Sequence, residues 1–207
     1  GQLAQYLLMV AVSFALGFAL TYMFGYEDEA PVVASENATT ERLVEEETTG
    51  NVPASLQDET IISPIVGSAV ALADVNDPVF SSGAMGQGIA IKPTEGVVYA
   101  PADAEVTIAF ATGHAYGLKT ANGAEILIHV GIDTVSMNGE GFDQKVAQGD
   151  KVKAGDVLGT FDAAKIAAAG LEDTTMVIVT NTADFASVTP VATGSVAKGD
   201  AIIEVKA

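Results

Sequence analysis

Past residue 60 the chain reads as short apolar runs separated by Gly, Asp, Asn and Pro. The runs fall at 88–91, 97–99, 106–110, 126–130, 157–161, 176–180 and 201–205. Short runs closed by turn residues, at a spacing of about ten, predict an all-β sandwich or barrel. One short helix is expected, with Asp162 as its cap, residues 163–169 as its body and Gly170 as its stop. A Gly-Asp pair recurs before strands at Gly149-Asp150, Gly155-Asp156 and Gly199-Asp200.

The first third of the chain has a different texture. Between Leu3 and Gly25 there is no charged residue. At about 1.5 Å per residue, that run is long enough for a helix to cross a hydrocarbon core of about 30 Å. No positive segment precedes it, and it is longer than the apolar part of a signal peptide. Residues 1–26 are therefore expected to hold a membrane-spanning helix. Its small residues Ser13, Ala15, Gly17 and Ala19 suit packing against other membrane helices. Residues 27–59 are rich in Glu, Thr, Ala and Pro, with Arg42 as the single basic residue. Such a stretch buries too little apolar surface to offset its ordering entropy, so an acidic flexible linker is expected there. Residues 60–207 are the expected folded domain.

Charge and cysteine content narrow the function. The formal net charge is −18, which argues against nucleic acid as a partner. The chain has no cysteine, which removes disulfides, thiolate zinc sites and thiol nucleophiles.

His114 and His129 are the only histidines, and Asn122-Gly123 lies between them. Asn-Gly is a strong signal for a two-residue hairpin turn. Such a turn pairs Ala121 with Ala124, His129 with Tyr116 and His114 with Gly131. Both imidazoles then share one face as diagonal neighbours, about 7 Å apart or less. A turn displaced by one residue would bring them directly opposite each other. Ile126, Leu127, Ile128, Val130 and Ile132 surround His129. A half-desolvated imidazole pair suits a nucleophile beside a proton donor. Two readings compete with this one: a pair of structural histidines, and half of a zinc site completed by Asp133 or a partner's carboxylate.

The Gly-Asp turns resemble those of biotinyl and lipoyl carrier domains and their hybrid-barrel relatives. Three further stretches resemble one family closely. Gly88-Ile89-Ala90-Ile91-Lys92-Pro93, Thr112-Gly113-His114-Ala115 and Ile128-His129-Val130-Gly131-Ile132-Asp133-Thr134-Val135 are similar to motifs of glucose-type IIA domains of the bacterial phosphoenolpyruvate:sugar phosphotransferase system. Gly139-Glu140-Gly141-Phe142 follows as in that family. The apolar N-terminal run and acidic linker resemble the end of a IIC sugar permease fused to IIA.

The resemblance implies an all-β IIA-type sandwich or barrel, a duplicated hybrid motif with very short helices. It implies a phosphotransferase in which His129 carries the phosphoryl group on Nε2, with Nδ1 held by a backbone carbonyl such as that of Gly131. His114 would donate to the phosphoryl oxygens, and Thr112 would orient His114. Asp77 and Asp133 would meet a cation of the incoming phosphocarrier protein HPr. Phe80, Ala84, Met85, Phe110 and Val135 would form the apolar docking patch. No cofactor is implied beyond the covalently held phosphoryl group. The implied partners are HPr, a IIB domain with an acceptor cysteine, and a IIC permease. The implied location is the cell membrane, anchored between Leu3 and Gly25, with the IIA domain on the cytoplasmic side. A regulatory binding module using the same face is the alternative. The sugar is not readable from this chain.

Overall fold

The computed structural model describes residues 56–207. The expected membrane helix and almost all of the linker lie outside these residues. Fourteen strands form the domain: β1 (Glu59–Ile62), β2 (Gly67–Ala71), β3 (Gln87–Pro93), β4 (Val97–Tyr99), β5 (Ala104–Ala109), β6 (Ala115–Thr120) and β7 (Glu125–His129), then β8 (Phe142–Gln144), β9 (Lys151–Val152), β10 (Val157–Phe161), β11 (Thr175–Val179), β12 (Ser187–Pro190), β13 (Gly194–Val196) and β14 (Ala201–Lys206). All seven apolar runs are strands. Two of the strands left unread, Gly67–Ala71 and Gly194–Val196, are short and poor in large apolar residues.

Three antiparallel sheets share the strands. The largest has the order β13-β2-β3-β11-β7-β6-β5-β9; the smaller two are β1-β14-β12 and β4-β10-β8. Alternation divides the side chains of the large sheet between two faces. Ile89, Ile91, Tyr116, Leu118, Ile126, Ile128, Val177 and Val179 join the main core with Leu158, Ile202, Ile203 and Val205. Burying each such side chain contributes about 1.5–3 kcal/mol. On the other face, Ala90, Met176 and Ile178 form a second cluster with Val75, Phe80 and Ile132, and Leu127 packs against it. The segment from Leu72 to Ser81 supplies the cover, through a 3-10 turn at Leu72–Asp74 and a one-turn helix at Pro78–Ser81. His129 follows Leu127 on this second face, directly across from Met176 of β11 and Ala115 of β6.

The repeated Gly-Asp turns are built alike. The carboxylates of Asp150, Asp156 and Asp200 accept from the N–H groups of Ala147, Lys153 and Ala197, at 2.8 Å in each case. The backbone N–H of each Asp returns a bond to the carbonyl of that same residue. The helix at Ala163–Ala168 has the expected Asp162 cap, whose carboxylate accepts from Ala164 and Lys165. Beyond it, Gly170 and Leu171 donate to the Ala167 and Ile166 carbonyls, which closes the helix end.

Two expectations are corrected. The linker was expected to run through residue 59, but Glu59 opens β1. Leu56 already packs on the core, and Gln57 donates to the Asn122 carbonyl at 3.1 Å. The β6–β7 hairpin has a three-residue loop in place of the expected two-residue turn. Thr120 pairs with Ala124 through its backbone N–H at 2.9 Å, and its hydroxyl accepts from the Ala124 N–H at 3.0 Å. A two-residue type I′ turn needs positive φ at both central residues. Gly123 has φ 98, whereas Asn122 is not among the residues with positive φ. Asn-Gly here ends a longer loop, and the register moves by one.

Candidate functional site

That one-residue shift opposes Ala115 to His129. Strict alternation would then send His114 to the opposite face. The rings meet because regular β6 begins only at Ala115; residues 110–113 turn out of the sheet, closed by the Gly113 N–H on the Phe110 carbonyl at 2.7 Å, and His114 stands at the strand end with its carbonyl on the Val130 N–H. The His114 and His129 ring centroids lie 4.9 Å apart, edge to face, with planes at 81°. The juxtaposition expected from the sequence is present, produced where the strand ends and not by regular alternation along it.

Each imidazole has one nitrogen tied. His129 Nδ1 lies 2.8 Å from the Gly131 carbonyl. A carbonyl only accepts, so Nδ1 carries the proton and Nε2 keeps its lone pair. Gly131 has φ 77, and a Cβ there would collide with the Thr134 methyl and the Glu172 carbonyl. Only glycine turns the chain tightly enough at this point to bring its carbonyl back to the ring two residues earlier. His114 Nδ1 is 2.5 Å from the Thr112 hydroxyl.

The rings are screened on two further sides. Phe80 stands 5.1 Å from His129 and Phe110 stands 5.3 Å from His114, centroid to centroid. Burial pushes the His114 pKa down to about 4, with the nearby His129 as a second cause. Burial also lowers His129, opposed by its bond to Gly131 and by the charges of Asp77 and Asp133. Both rings are therefore neutral at neutral pH, which leaves a nucleophilic nitrogen available on His129.

Residues expected at the site fall into three groups. His129, His114, Thr112, Gly131, Phe80 and Phe110 meet directly. Asp77 and Asp133 act on His129 through their charge. Asp77 also caps the helix at Pro78–Ser81, its carboxylate accepting from Val79 at 2.7 Å and Phe80 at 3.3 Å. Asp133 is exposed, with a left-handed backbone at φ 57, and leads into the 3-10 turn at Thr134–Met137. Ala84, Met85 and Val135 are exposed. Phe80 departs from the expectation of a surface docking residue: it is 7% exposed and belongs to the cluster beneath the site.

Sequence reading gave no role to Val79 and Ile108, large apolar side chains that are 53% and 49% exposed. It also gave Thr134 no role, although that residue is wholly buried beneath the Gly131 turn. The Asp77-Pro78 pair, an N-cap followed by Pro, was a usable signal for the short helix. Among the described residues no group of three or more His, Cys, Asp or Glu side chains is gathered as a metal site. No helix among them is long and apolar enough to cross a membrane.

Three sheets around a shared core, with two imidazoles ring to ring on one sheet face, define a β domain organised around paired histidines. Residues 59–185 match the family described as phosphoenolpyruvate-dependent sugar phosphotransferase system, EIIA 1, and the chain belongs to that family. It is an EIIA domain of the sugar phosphotransferase system, and such components are phosphotransferases. A β-glucoside-specific EIIBCA component of Dickeya chrysanthemi is 44% identical over 186 residues, covering 89% of this chain and 29% of that protein. The chain thus spans about three-tenths of that relative's length. A glucose-specific EIIA component of Bacillus cereus is 49% identical over 125 residues, covering 60% of this chain and 76% of the relative. The solved structure of glucose permease IIA from Mycoplasma capricolum superposes with a TM-score of 0.66 at 34% identity, covering 72% of this chain and 96% of that one.

Proposed function

We propose that His129 receives a phosphoryl group on Nε2 from the phosphohistidine of HPr and passes it to a cysteine of a IIB domain, for use in coupled sugar uptake. One observation carries the reading. The Gly131 carbonyl holds the Nδ1 proton, so the free nitrogen of a neutral ring is Nε2, beside a second imidazole 4.9 Å away.

The steps balance without a further cofactor. The Nε2 lone pair attacks phosphorus in line. The donor's P–N bond breaks and its electron pair returns to the donor ring nitrogen. Onward transfer breaks the new P–N bond, forms a P–S bond to the IIB thiolate and returns the pair to Nε2. Donor and acceptor are chemically alike in the first step, so positioning and charge neutralisation supply most of the catalysis. With the Thr112 hydroxyl donating to its Nδ1, His114 would present an Nε2–H to the phosphoryl oxygens. Phe80 and Phe110 would keep water from the phosphohistidine. Asp77 and Asp133 would meet a basic residue of HPr, and exposed Val79, Met85, Ile108, Phe110 and Val135 would form the apolar contact surface.

In this reading the domain belongs to a longer membrane transporter with IIB and IIC parts and works on the cytoplasmic side of the cell membrane. The EIIBCA names of relatives support the IIB and IIC parts. The test is phosphate uptake by residues 56–207 from phosphoenolpyruvate, enzyme I and HPr. Wild type is expected to gain acid-labile, base-stable phosphate, and His129→Gln none. His114→Gln should accept phosphate but pass it on about 10²-fold more slowly or worse. An unlabelled wild-type domain beside competent HPr would sink the proposal.

A further inference from the structure

Val130 links the two histidines: its N–H reaches His114, and a buried hydroxyl holds its carbonyl. Between His129 and Gly131, the Val130 N–H donates to the His114 carbonyl at 2.8 Å. The Val130 carbonyl accepts from the Thr134 hydroxyl at 2.5 Å. The next two N–H groups are also occupied: Gly131 donates to Thr174 at 3.1 Å and Ile132 to Glu172 at 2.9 Å. The Gly131 carbonyl accepts from His129 Nδ1. Thr134 is 0% exposed, and its methyl lies where a Cβ on Gly131 would fall.

From this geometry we infer that Thr134 is a positioning residue: its hydroxyl locks the Val130 peptide, and the lock holds the Gly131 carbonyl on His129 Nδ1. The inference deepens the phosphocarrier reading and rests on it for its kinetic part. Without the hydroxyl, the Val130 carbonyl is buried without its partner, and the 130–131 peptide keeps only the bond from the Gly131 N–H to Thr174, about which it can tilt. Tilting carries the Gly131 carbonyl away from the ring. The Nδ1–H form of His129 is then no longer favoured, and part of the population places its proton on Nε2, the nitrogen that has to attack. The acceptor bond also favours the charged ring, so its loss lowers the His129 pKa further. Nothing on the docking surface changes.

Two substitutions separate the hydroxyl from the methyl. Thr134→Val keeps the branched shape under Gly131 and removes the donor. Thr134→Ser keeps the donor and removes the methyl. Nitrogen NMR of His129 in the unphosphorylated domain reads tautomer and pKa without any transfer assay. In Thr134→Val the Nδ1–H population and the pKa are both expected to fall. Its kcat for phosphate uptake should drop about tenfold, with KM for the phosphorylated donor protein unchanged. Thr134→Ser should stay within about twofold of wild type by each readout. A folded Thr134→Val with wild-type tautomer, pKa and kcat overturns the inference. So does a Thr134→Ser as impaired as Thr134→Val, because the methyl would then be the determinant. Should Thr134→Val not fold, Thr134→Ser decides alone: a shifted tautomer refutes the inference, and a wild-type one upholds it. If wild type takes up no phosphate while the tautomer responds as expected, the phosphocarrier reading fails and the positioning role of Thr134 stands.

Discussion

Replacing His114 by Gln should flatten the acid limb of the domain's stability profile. His114 is 4% exposed, and burial next to His129 pushes its pKa from 6.5 down to about 4. In the unfolded chain the ring has its ordinary value, so between about pH 6.5 and pH 4 the unfolded state binds the extra proton and the native state does not. Stability therefore rises with pH through this window; the His114 contribution is complete above it and lost below it. At 1.36 kcal/mol per pKa unit, the full effect is about 3 kcal/mol. Carboxylates titrate over part of the same range, so the informative quantity is the difference between wild type and His114→Gln. Urea unfolding of both proteins at several pH values measures it. The wild-type advantage should shrink by about 3 kcal/mol from neutral pH to pH 4, with little further change below that. A difference independent of pH would refute the claim that the ring is held neutral by burial.

Two other substitutions test separate parts of the argument. Asp77→Ala removes both charge and helix cap and should cost about 1 kcal/mol in thermal or urea unfolding, whereas Asp77→Asn keeps a capping oxygen and should cost far less. Both should weaken docking of phosphorylated HPr, because both remove the carboxylate charge; equal stabilities of the two variants would show that the cap contributes nothing. Gly159→Ala would drive a Cβ into the Tyr116 hydroxyl, which packs directly over that glycine, and should cost about 1–3 kcal/mol. Adding Tyr116→Phe should recover part of that loss, and strictly additive effects in the double-mutant cycle would contradict the close approach.

What the sequence disclosed depended on how strongly each feature marks single positions. β3, β7 and β11 are apolar on both faces because the large sheet is covered on both sides near the site, so their runs stand out. β2 and β13 carry Gly, Ser and Ala, which fit a sheet edge or a thin cover and leave no pattern. The histidine pair was legible in outcome and not in geometry. Asn122-Gly123 serves equally as a two-residue turn or as the end of a three-residue loop. Only the double hold of Thr120 on Ala124 decides between them. Phe80 was placed in the docking patch by resemblance alone; the one-turn helix that carries it is set by its Asp77 cap and not by periodicity, so no pattern marked it as buried. Thr134 gave no signal, since a buried hydroxyl that donates to a carbonyl four residues earlier looks like any threonine.

The two ends of the fold are neighbours. Asp58 accepts from the Ala207 N–H at 3.0 Å and pairs with Lys206 at the same distance. Glu59 accepts from Thr120 at 2.7 Å, and Leu56 lies on Gly123 at the tip of the β6–β7 hairpin. His129 closes the other end of that hairpin, roughly 20 Å away at strand rise. The domain thus has a pole where polypeptide comes and goes and an opposite pole where chemistry is done. What is joined to the domain at the first pole stands roughly 20 Å from the imidazoles at the second, much as a plug keeps its pins whatever cable is fitted behind them.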